Sequence, residues 1–377
     1  MARYITNIHV NKLFHLSDFD IQVADDNAPH LILTGKNGSG KTITLNAIAD
    51  FLDKIKRYEN TAQDGVLLDK VNVDFIDGHD YTLEHQEGNF IITFYQAARK
   101  TAILEPQSPM KPELKEKFPS RTLMTNQLLF FLSDLKIQEA LARNEQQNAD
   151  ADKIKDWFES FENVLKGFFE DKDLKLRFNY RDYTFHIETQ GKSFKFTELS
   201  DGFSAIIDII ADLILKMQKK NTLVMDYLKP GIVLIDEIET HLHLQLQKTV
   251  LPLLTKLFPN IQFIVTTHSP FVLNSLPNAT AFDMEHRETI VNLSDYSYQA
   301  LTEGYFGVSS DSDYIKARLE QLRELLAKEQ LTDDETETVK QIIADFRNMP
   351  EAASPAITGR FNSLLVDYSE KIRNILG

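Results

Sequence analysis

The chain has 377 residues, of which 42% are hydrophobic and none is cysteine, and its formal net charge at pH 7 is −15. The length allows one large domain or two to three smaller ones, and the lack of cysteine excludes disulfides and thiolate metal sites. The negative charge argues against a surface that binds nucleic acid over its whole extent. Local basic patches could still come from Lys54, Lys56 and Arg57, or from Lys216, Lys219 and Lys220, although solvated helix faces are the more common use of such clusters.

The hydropathy of the sequence predicts neither a signal peptide nor a membrane-spanning segment. The first residues lack the charged-then-apolar pattern of a signal peptide. The longest apolar run, at 203–217, contains Asp208 and Asp212 and is too short to cross a bilayer. A chain without cysteine also fits a reducing compartment. We therefore expect a cytoplasmic protein with no membrane partner.

The N-terminal region predicts a strand, a glycine-rich loop and a helix. Residues 3–24 alternate apolar and polar side chains, which indicates a two-stranded hairpin or meander. An apolar strand at 31–33 follows, and apolar residues recur at helical spacing from position 43 onward. The loop between them matches the pattern G-x-x-x-x-G-K-[ST] and reads Gly35-Lys36-Asn37-Gly38-Ser39-Gly40-Lys41-Thr42.

This loop has the chemistry of a phosphate-binding site. Its three glycines let the backbone curl so that successive N–H groups point at phosphate oxygens, and the helix that follows presents its positive end to the same anion. Lys41 would reach the β- and γ-phosphates, and the Thr42 hydroxyl would hold Mg²⁺. Phe14 or Lys12 could pack on the base, although core packing is the more common role of a phenylalanine at such a position. The stretch therefore predicts a nucleotide site.

Downstream of the first helix we predict an antiparallel sheet beside the nucleotide core. Its strands are expected at 71–76, 81–85 and 89–95, with Asp-Gly and Glu-Gly turn signals between them. Gln96 ends the last of these strands, where its side chain could reach the metal or the attacking water. From about 101 to 173 the pattern becomes helical, and an aromatic stripe at helical spacing is expected to be core. The stripe consists of Trp157, Phe158, Phe161, Leu165, Phe168 and Phe169.

Strands are expected again at 174–179, 184–189 and 193–196, followed by an amphipathic helix that begins near Ser200. Two interpretations of this helix start are open. Ser200 or Asp201 could be an ordinary N-cap, or Ser200 and the first N–H groups of the helix could bind a second phosphate. The tail from position 309 predicts helices only.

Two further apolar strands end in polar residues. The strand at 231–235 ends in Asp236 and Glu237, at the strand end where α/β sheets bind ligands. Asp236 would hold Mg²⁺ through water opposite Thr42, and Glu237 would orient water for in-line attack on the γ-phosphate. The strand at 261–266 is followed by His268, which can hydrogen-bond the γ-phosphate.

Taken together, these motifs resemble those of ABC-class ATPases of the RecF, OLD and SMC-like group, and especially bacterial AAA_21-type ATPases that occur in antiphage defence systems. The loop 35–42 is similar to Walker A, 232–237 to Walker B, Leu199-Ser200-Asp201-Gly202-Phe203 to the LSGGQ signature, and Thr267-His268-Ser269-Pro270 to the switch-histidine loop. Glu239-Thr240-His241-Leu242-His243 lies where the D-loop region is expected. The chain departs from the signature pattern at Asp201, where glycine is usual, and at Phe203, where glutamine is usual.

The resemblance implies an α/β fold: an ABC-type ATPase head with a P-loop parallel sheet core, an antiparallel β subdomain, a helical insertion and a helical C-terminal tail. We place an N-terminal ATPase lobe at 1–100, the insertion at 101–173, a second lobe at 174–308 and the tail at 309–377. ATP and Mg²⁺ are the implied cofactors. Lys41, Glu237 and His268 are the implied catalytic residues, and Thr42, Asp236 and Gln96 the residues nearest the metal.

The resemblance also implies head-to-tail pairing, in which Ser200 and Gly202 complete the site of the opposite subunit. We expect a homodimer or a larger oligomer that acts as a nucleotide-timed switch for a separate effector in antiphage defence. A RecF-like DNA-repair ATPase, which would bind nucleic acid, is the first alternative. The nucleotide-binding subunit of a transporter is the second, although the signature sequence and the helical tail argue against it.

Overall fold

The computed structural model describes residues 4–23, 29–55, 70–76, 78, 81, 84–85, 87–98, 103–108, 110–113, 119–218, 228–290, 293, 296–304, 313–348 and 355–376. The chain divides into two compact units, Met1–Leu301 and Thr302–Gly377. Within the described residues, no helix is long and apolar enough to cross a membrane.

The strands of the first unit are β1 (Ile5–Leu13), β2 (Leu16–Gln22), β3 (His30–Thr34), β4 (Val71–Phe75), β5 (Ile91–Tyr95), β6 (Lys175–Asn179), β7 (Thr184–Thr189), β8 (Lys192–Lys195), β9 (Gly231–Ile235), β10 (Ile261–Thr266), β11 (Ala279–Asp283) and β12 (Glu288–Ile290). Its helices are α1 (Lys41–Ile55), α2 (Leu128–Asn144), α3 (Asn148–Phe168), α4 (Asp201–Met217), α5 (Leu244–Leu257) and α6 (Pro270–Leu273), and α7 (Tyr298–Gly304) runs across the boundary.

A six-stranded sheet in the order β12-β11-β3-β10-β9-β5 forms the centre of the first unit. All of its strands are parallel except β12, which pairs antiparallel with β11. Every residue of β3, β5, β9 and β10 is buried, as expected for apolar strands that are covered on both faces. Because the strands are parallel, the residues after β3, β5, β9, β10 and β11 meet at one edge.

The predicted antiparallel sheet at 71–95 is partly wrong. The predicted hairpin, β1 and β2, is confirmed and pairs with β4 in a separate three-stranded sheet. Glu84 and His85 are helical rather than extended, and positions 82 and 83 lie outside the described residues. The last predicted strand, β5, joins the parallel sheet beside β9. All five residues of β5 are buried, so the strand must be covered on both faces. The central parallel sheet provides this cover, whereas an antiparallel sheet with one face in solvent would not.

The strands predicted at 174–196 are confirmed as β6, β7 and β8, an antiparallel sheet of their own. Helices α2 and α3 precede this sheet, and the predicted aromatic stripe is core along α3, where Trp157, Phe158, Phe161, Leu165 and Phe168 are all buried. Phe169, the last residue of the predicted stripe, follows the helix and is half-buried. Phe14 is not core. It lies in the turn between β1 and β2 with a φ of +52° and is 83% exposed.

The proposed basic patch at 216–220 is not supported at Lys216. Its side chain is buried and forms an ion pair with Asp212 at 2.7 Å on the same helix. It also donates a hydrogen bond to the Thr93 hydroxyl of β5, while Tyr95 donates to Asp212 at 2.6 Å. A buried cation with two partners is a packing element rather than a surface charge. Lys219 and Lys220, like Lys56 and Arg57 of the other candidate, lie outside the described residues.

The second unit is helical where it is described, as its sequence predicts. Its helices are α8 (Asp313–Ala327), α9 (Asp333–Asn348), α10 (Pro355–Asp367) and α11 (Ser369–Leu376). They share one apolar core, formed by Leu319, Leu322, Leu325, Leu326, Val339, Ile342, Ile343, Phe346, Ile357, Phe361 and Ile372.

The first residue of β3, His30, makes the stability of the head pH-dependent. Its ring is buried and accepts a hydrogen bond from the Phe263 N–H through Nδ1, and burial lowers the pKa of His30 to about 4. His30 therefore takes up a proton near pH 6.5 in the unfolded chain but only near pH 4 in the folded chain. Its contribution to stability is present above pH 6.5 and is lost as the pH falls towards 4.

We expect His30 to account for a loss of about 2 kcal/mol of unfolding free energy between pH 7 and pH 5. Chemical denaturation at both pH values measures this loss. His30→Asn, which does not titrate but can still accept from the Phe263 N–H, is expected to lose correspondingly less. Equal pH dependence of the two proteins would contradict this assignment.

Candidate functional site

The loop after β3 has the curled backbone that its glycines predict. Gly35, Gly38 and Gly40 have φ values of +128°, +81° and +101°, which side-chain-bearing residues rarely adopt. A Cβ atom on Gly40 would come within 2.4 Å of Leu16 Cδ1, so the loop also packs closely on the start of β2. A side chain at Gly40 is therefore disfavoured by the backbone conformation and would also require the Leu16 side chain to move.

Lys41 is folded back under this loop. Its ammonium group donates hydrogen bonds to the Gly35 carbonyl at 2.8 Å and to the Lys36 carbonyl at 3.0 Å. Burial lowers the pKa of Lys41 to about 8, while the nearby carboxylates of Glu239, Glu237, Asp236 and Asp283 act in the opposite direction. The site thus places one partly desolvated cation among several acids.

Asp236 and Thr42 lie together, as the sequence predicts for two residues near one metal. The Thr42 hydroxyl donates to Asp236 Oδ1 at 3.1 Å, and the Thr266 hydroxyl donates to the same oxygen at 2.7 Å. No group of three or more histidine or acidic side chains among the described residues is arranged to hold a metal. The pair nevertheless fits Mg²⁺, which keeps several waters and binds through one or two protein oxygens and the phosphates of its substrate.

Glu237 follows Asp236 with a φ of +44° and is half-buried. Its N–H donates to the Thr266 hydroxyl at 2.7 Å, and the Thr240 hydroxyl donates to Oε2 at 3.2 Å. A glutamate with a positive φ is unusual, and such conformations often occur at functional sites. The backbone therefore directs Asp236 and Glu237 from a single sharp turn.

His268 and Gln96 follow β10 and β5, the two strands that flank β9, at the same edge of the sheet. Burial and the nearby charge of Lys41 lower the pKa of His268, which favours the neutral ring near pH 7. Gln96 is exposed and comes directly after Tyr95, whose carbonyl accepts from the Asp236 N–H at 2.8 Å. The sheet therefore brings both predicted residues to the edge that holds Asp236 and Glu237, although their roles stay predictions.

Ser200 occupies the N-cap position of α4, but its side chain makes no capping hydrogen bond. The N-cap interpretation is thus correct for the backbone alone, and the exposed hydroxyl is left for another partner. Among the described residues, no hydrogen bond joins Ser200 to the loop 35–42. Gly202 is buried against the D-loop region, where an added Cβ would lie 2.7 Å from the carbonyl oxygen of His241. Among the described residues of one chain, therefore, Ser200 of the signature forms no hydrogen bond with the Walker A loop.

Three residues that the sequence analysis did not assign a role help to shape the site. Thr266 joins Asp236 to Glu237, and Glu239 accepts from the switch-histidine loop. Asp283 ends β11, is fully buried and pairs with His286 at 2.5 Å, which raises the pKa of that histidine. An acid at the end of an apolar strand is the signal that identified Asp236, and it could have identified Asp283 as well.

Comparison with known proteins agrees with this arrangement. Residues 31–274 match the sequence pattern of the AAA_21 family, described as "AAA domain, putative AbiEii toxin, Type IV TA system". The chain belongs to this family. The matched residues include the phosphate loop, both acids and the switch-histidine loop, so the predicted resemblance to AAA_21-type ATPases is confirmed.

Two relatives and one structure show how far the similarity extends. Septu protein PtuA of Bacillus mycoides is 24% identical over 90% of this chain and 50% of its own length. The retron Ec83 probable ATPase of Escherichia coli is 42% identical over 24% of this chain and 17% of its own length. The chain thus spans half or less of these relatives. A crystal structure of the SmcHead bound to the C-winged helix domain of ScpA is 13% identical, with a TM-score of 0.45 over 74% of this chain and 93% of that chain.

The close packing of Gly40 on Leu16 gives a test of the family's phosphate loop. Gly40→Ala is expected to weaken nucleotide binding more than Gly38→Ala, because a Cβ at Gly38 meets nothing within 4 Å whereas one at Gly40 meets Leu16. The additional steric cost is about 1–3 kcal/mol. Titration with a fluorescent ATP analogue measures both variants.

The double variant Leu16→Ala/Gly40→Ala removes the steric conflict but keeps the positive φ. It is expected to bind nucleotide about as well as Gly38→Ala does. If the double variant binds no better than Gly40→Ala, the contact with Leu16 is not what excludes a side chain at this position.

Proposed function

We propose that this chain is a Mg²⁺-dependent ATPase whose copies close head-to-tail on ATP and act as a nucleotide-timed switch in a bacterial antiphage defence complex. The observation that carries this proposal is the hydrogen-bonded cluster of Thr42, Asp236, Thr266 and Glu237 beside the phosphate loop. The names of the relatives, a Septu protein and retron ATPases, support the defence setting. A separate effector protein is part of the proposal.

The phosphate loop and the acids beside it have tasks that their positions support. The N–H groups of the loop and the Lys41 ammonium bind the phosphates, and Lys41 exchanges its two carbonyl partners for phosphate oxygens. Thr42 and Asp236 would hold Mg²⁺, and Gln96, which follows β5 at the same sheet edge, is a further candidate ligand. The ion would neutralise charge that develops on the transferred phosphoryl group. Glu237 orients and polarises the attacking water.

The signature supports a role for a second copy of the chain. Ser200 is exposed, and its hydroxyl does not cap its own helix. The first N–H groups of α4 and this hydroxyl suit an anion such as a γ-phosphate bound by a partner subunit. Gly202 packs closely on the D-loop region of its own chain, which follows Asp236 and Glu237. A movement of the D-loop region can therefore reach the signature. Hydrolysis of ATP by the water that Glu237 orients would then let the two copies separate.

Glu237→Gln tests this mechanism. The amide keeps the shape of the carboxylate but cannot polarise water, so we expect ATP binding within about threefold of the unmodified chain and at least a hundredfold slower turnover. With ATP and Mg²⁺ the variant is expected to accumulate as a dimer in light scattering.

Glu188→Gln, at a half-buried residue of β7 that pairs with Arg177, is the matched control and is expected to leave both properties unchanged. Ser200→Arg in the Glu237→Gln background is expected to abolish the dimer without abolishing ATP binding. Normal turnover by Glu237→Gln, or a dimer that forms despite Ser200→Arg, contradicts the proposal.

Phe14 is the residue we propose to pack on the adenine ring. It projects 83% exposed from the β1–β2 turn, and Leu16, two residues further along, packs on Gly40 of the phosphate loop. Aromatic stacking on a base contributes about 1–3 kcal/mol. Phe14→Ala is therefore expected to weaken ATP binding roughly 5- to 150-fold, as measured by calorimetry.

Binding of inorganic triphosphate, which has no base, is expected to be the same in Phe14→Ala and in the unmodified chain. Tyr180→Ala removes an aromatic side chain that is 70% exposed in another part of the head and serves as the control. If Phe14→Ala and Tyr180→Ala bind ATP equally well, adenine stacks elsewhere.

A further inference from the structure

Glu239 makes contacts that neither Asp236 nor Glu237 makes. Its Oε1 accepts the backbone N–H of His268 at 2.5 Å, and its Oε2 accepts the Thr267 hydroxyl at 2.8 Å. Both oxygens of one carboxylate are therefore bonded to two consecutive residues of the switch-histidine loop. Hydrogen bonds to a carboxylate are shorter and stronger than those between neutral groups.

Both sides of this contact are held firmly by the backbone. On the glutamate side, the Ile238 N–H donates to the Thr266 carbonyl and the Leu242 N–H donates to the Glu239 carbonyl at 2.8 Å. On the loop side, the Thr267 N–H donates to the Leu33 carbonyl at 3.0 Å, and the Thr267 hydroxyl accepts from the Ser269 N–H at 3.0 Å. Glu239 thus closes a ring of bonds around the start of the loop.

The environment of this carboxylate is costly for a charge. Burial raises the pKa of Glu239, although its hydrogen bonds to His268 and Thr267 lower it. A buried acceptor that loses its donors costs more than the bond itself contributes, so such a group is retained where its contacts are needed. Because both oxygens already accept from the loop, the geometry favours neither a metal ligand nor a base acting on water.

We propose that Glu239 is the positioning residue of the switch-histidine loop: it fixes the backbone of His268 so that the imidazole faces the γ-phosphate. The proposal rests on the ATPase function proposed above and adds a residue that acts through His268 without touching the nucleotide. Its loss is expected to affect turnover more than ATP binding, because the hydrogen bonds of Lys41 go to the Gly35 and Lys36 carbonyls and not to Glu239.

The first test does not depend on activity. Amide hydrogen exchange of His268 is expected to be slow in the unmodified chain and at least tenfold faster in Glu239→Ala. Glu239→Gln keeps a carbonyl oxygen that can accept the His268 N–H and is expected to retain most of the protection. Unchanged exchange at His268 in Glu239→Ala overturns the proposal.

Glu335→Ala is the matched control, because Glu335 also accepts a backbone N–H, that of Thr332, but does so in the C-terminal helical unit. It is expected to change neither His268 exchange nor ATP turnover. If Glu239→Ala does not fold, Thr267→Val removes one of the two contacts and carries the same expectation in weaker form, with His268 exchange again as the readout.

The second test is a double-mutant cycle on turnover. Glu239→Ala and His268→Ala are each expected to lower kcat at least tenfold with ATP affinity changed less than threefold, and the double variant is expected to be no slower than His268→Ala alone, because one residue acts through the other. This inference is overturned if the reductions in kcat of the two single variants multiply in the double variant. It is also overturned if Glu239→Ala is fully active while His268→Ala is inactive. Either result leaves the ATPase proposal intact. An unmodified chain that neither binds nor hydrolyses ATP defeats the proposed function instead, and the exchange measurement still decides the role of Glu239.

Discussion

The Thr266 hydroxyl is the contact on which the candidate site depends. It donates to Asp236 and accepts from the Glu237 N–H, so it fixes both acids at the end of β9 from the neighbouring strand β10. The parallel register Val265↔Ile235 sets this contact. A slip of one residue would turn the alternate side chains of β10 to the other face and separate the hydroxyl from both acids. Sheet register and active-site geometry are thus one constraint.

The same sheet also positions the signature helix. Asp212 of α4 accepts from the Tyr95 hydroxyl of β5 and from the Met124 N–H, and Lys216 reaches Thr93. Replacing such a buried ion pair with apolar residues often stabilises a protein, so its energy alone does not explain its presence. Its geometry does more, because it joins α4 to β5, the strand that precedes Gln96. The helix that begins at Asp201, directly after Ser200, is therefore anchored to the strand that precedes Gln96.

Local patterns in the sequence were enough to predict the phosphate loop, since β3, the loop and α1 are adjacent in the chain and each has its own signal. The position of β5 was not predictable in this way. Its neighbour β9 is far along the sequence, and the turn signals before β5 favoured a local hairpin, whereas in the described part of the chain β5 pairs with β9. The exposure of Phe14 could not be predicted for a related reason, because the burial of a side chain at a turn depends on which residues pack beside it. The role of Glu239 depends on Thr267 and His268, which only the folded sheet brings to it.

The unusual signature residue Phe203 has a packing explanation. Its ring stacks on Phe169 at a centroid distance of 5.0 Å and meets Phe168 edge-on at 5.2 Å. Both partners lie at the end of α3, so the position that is usually a polar glutamine here joins the signature to the helical insertion. Aromatic pairs of this kind contribute about 0.5–1.5 kcal/mol each beyond their buried area. Because Gly202 packs on the D-loop region and Phe203 packs on the end of α3, two adjacent residues connect the D-loop region to the helical insertion.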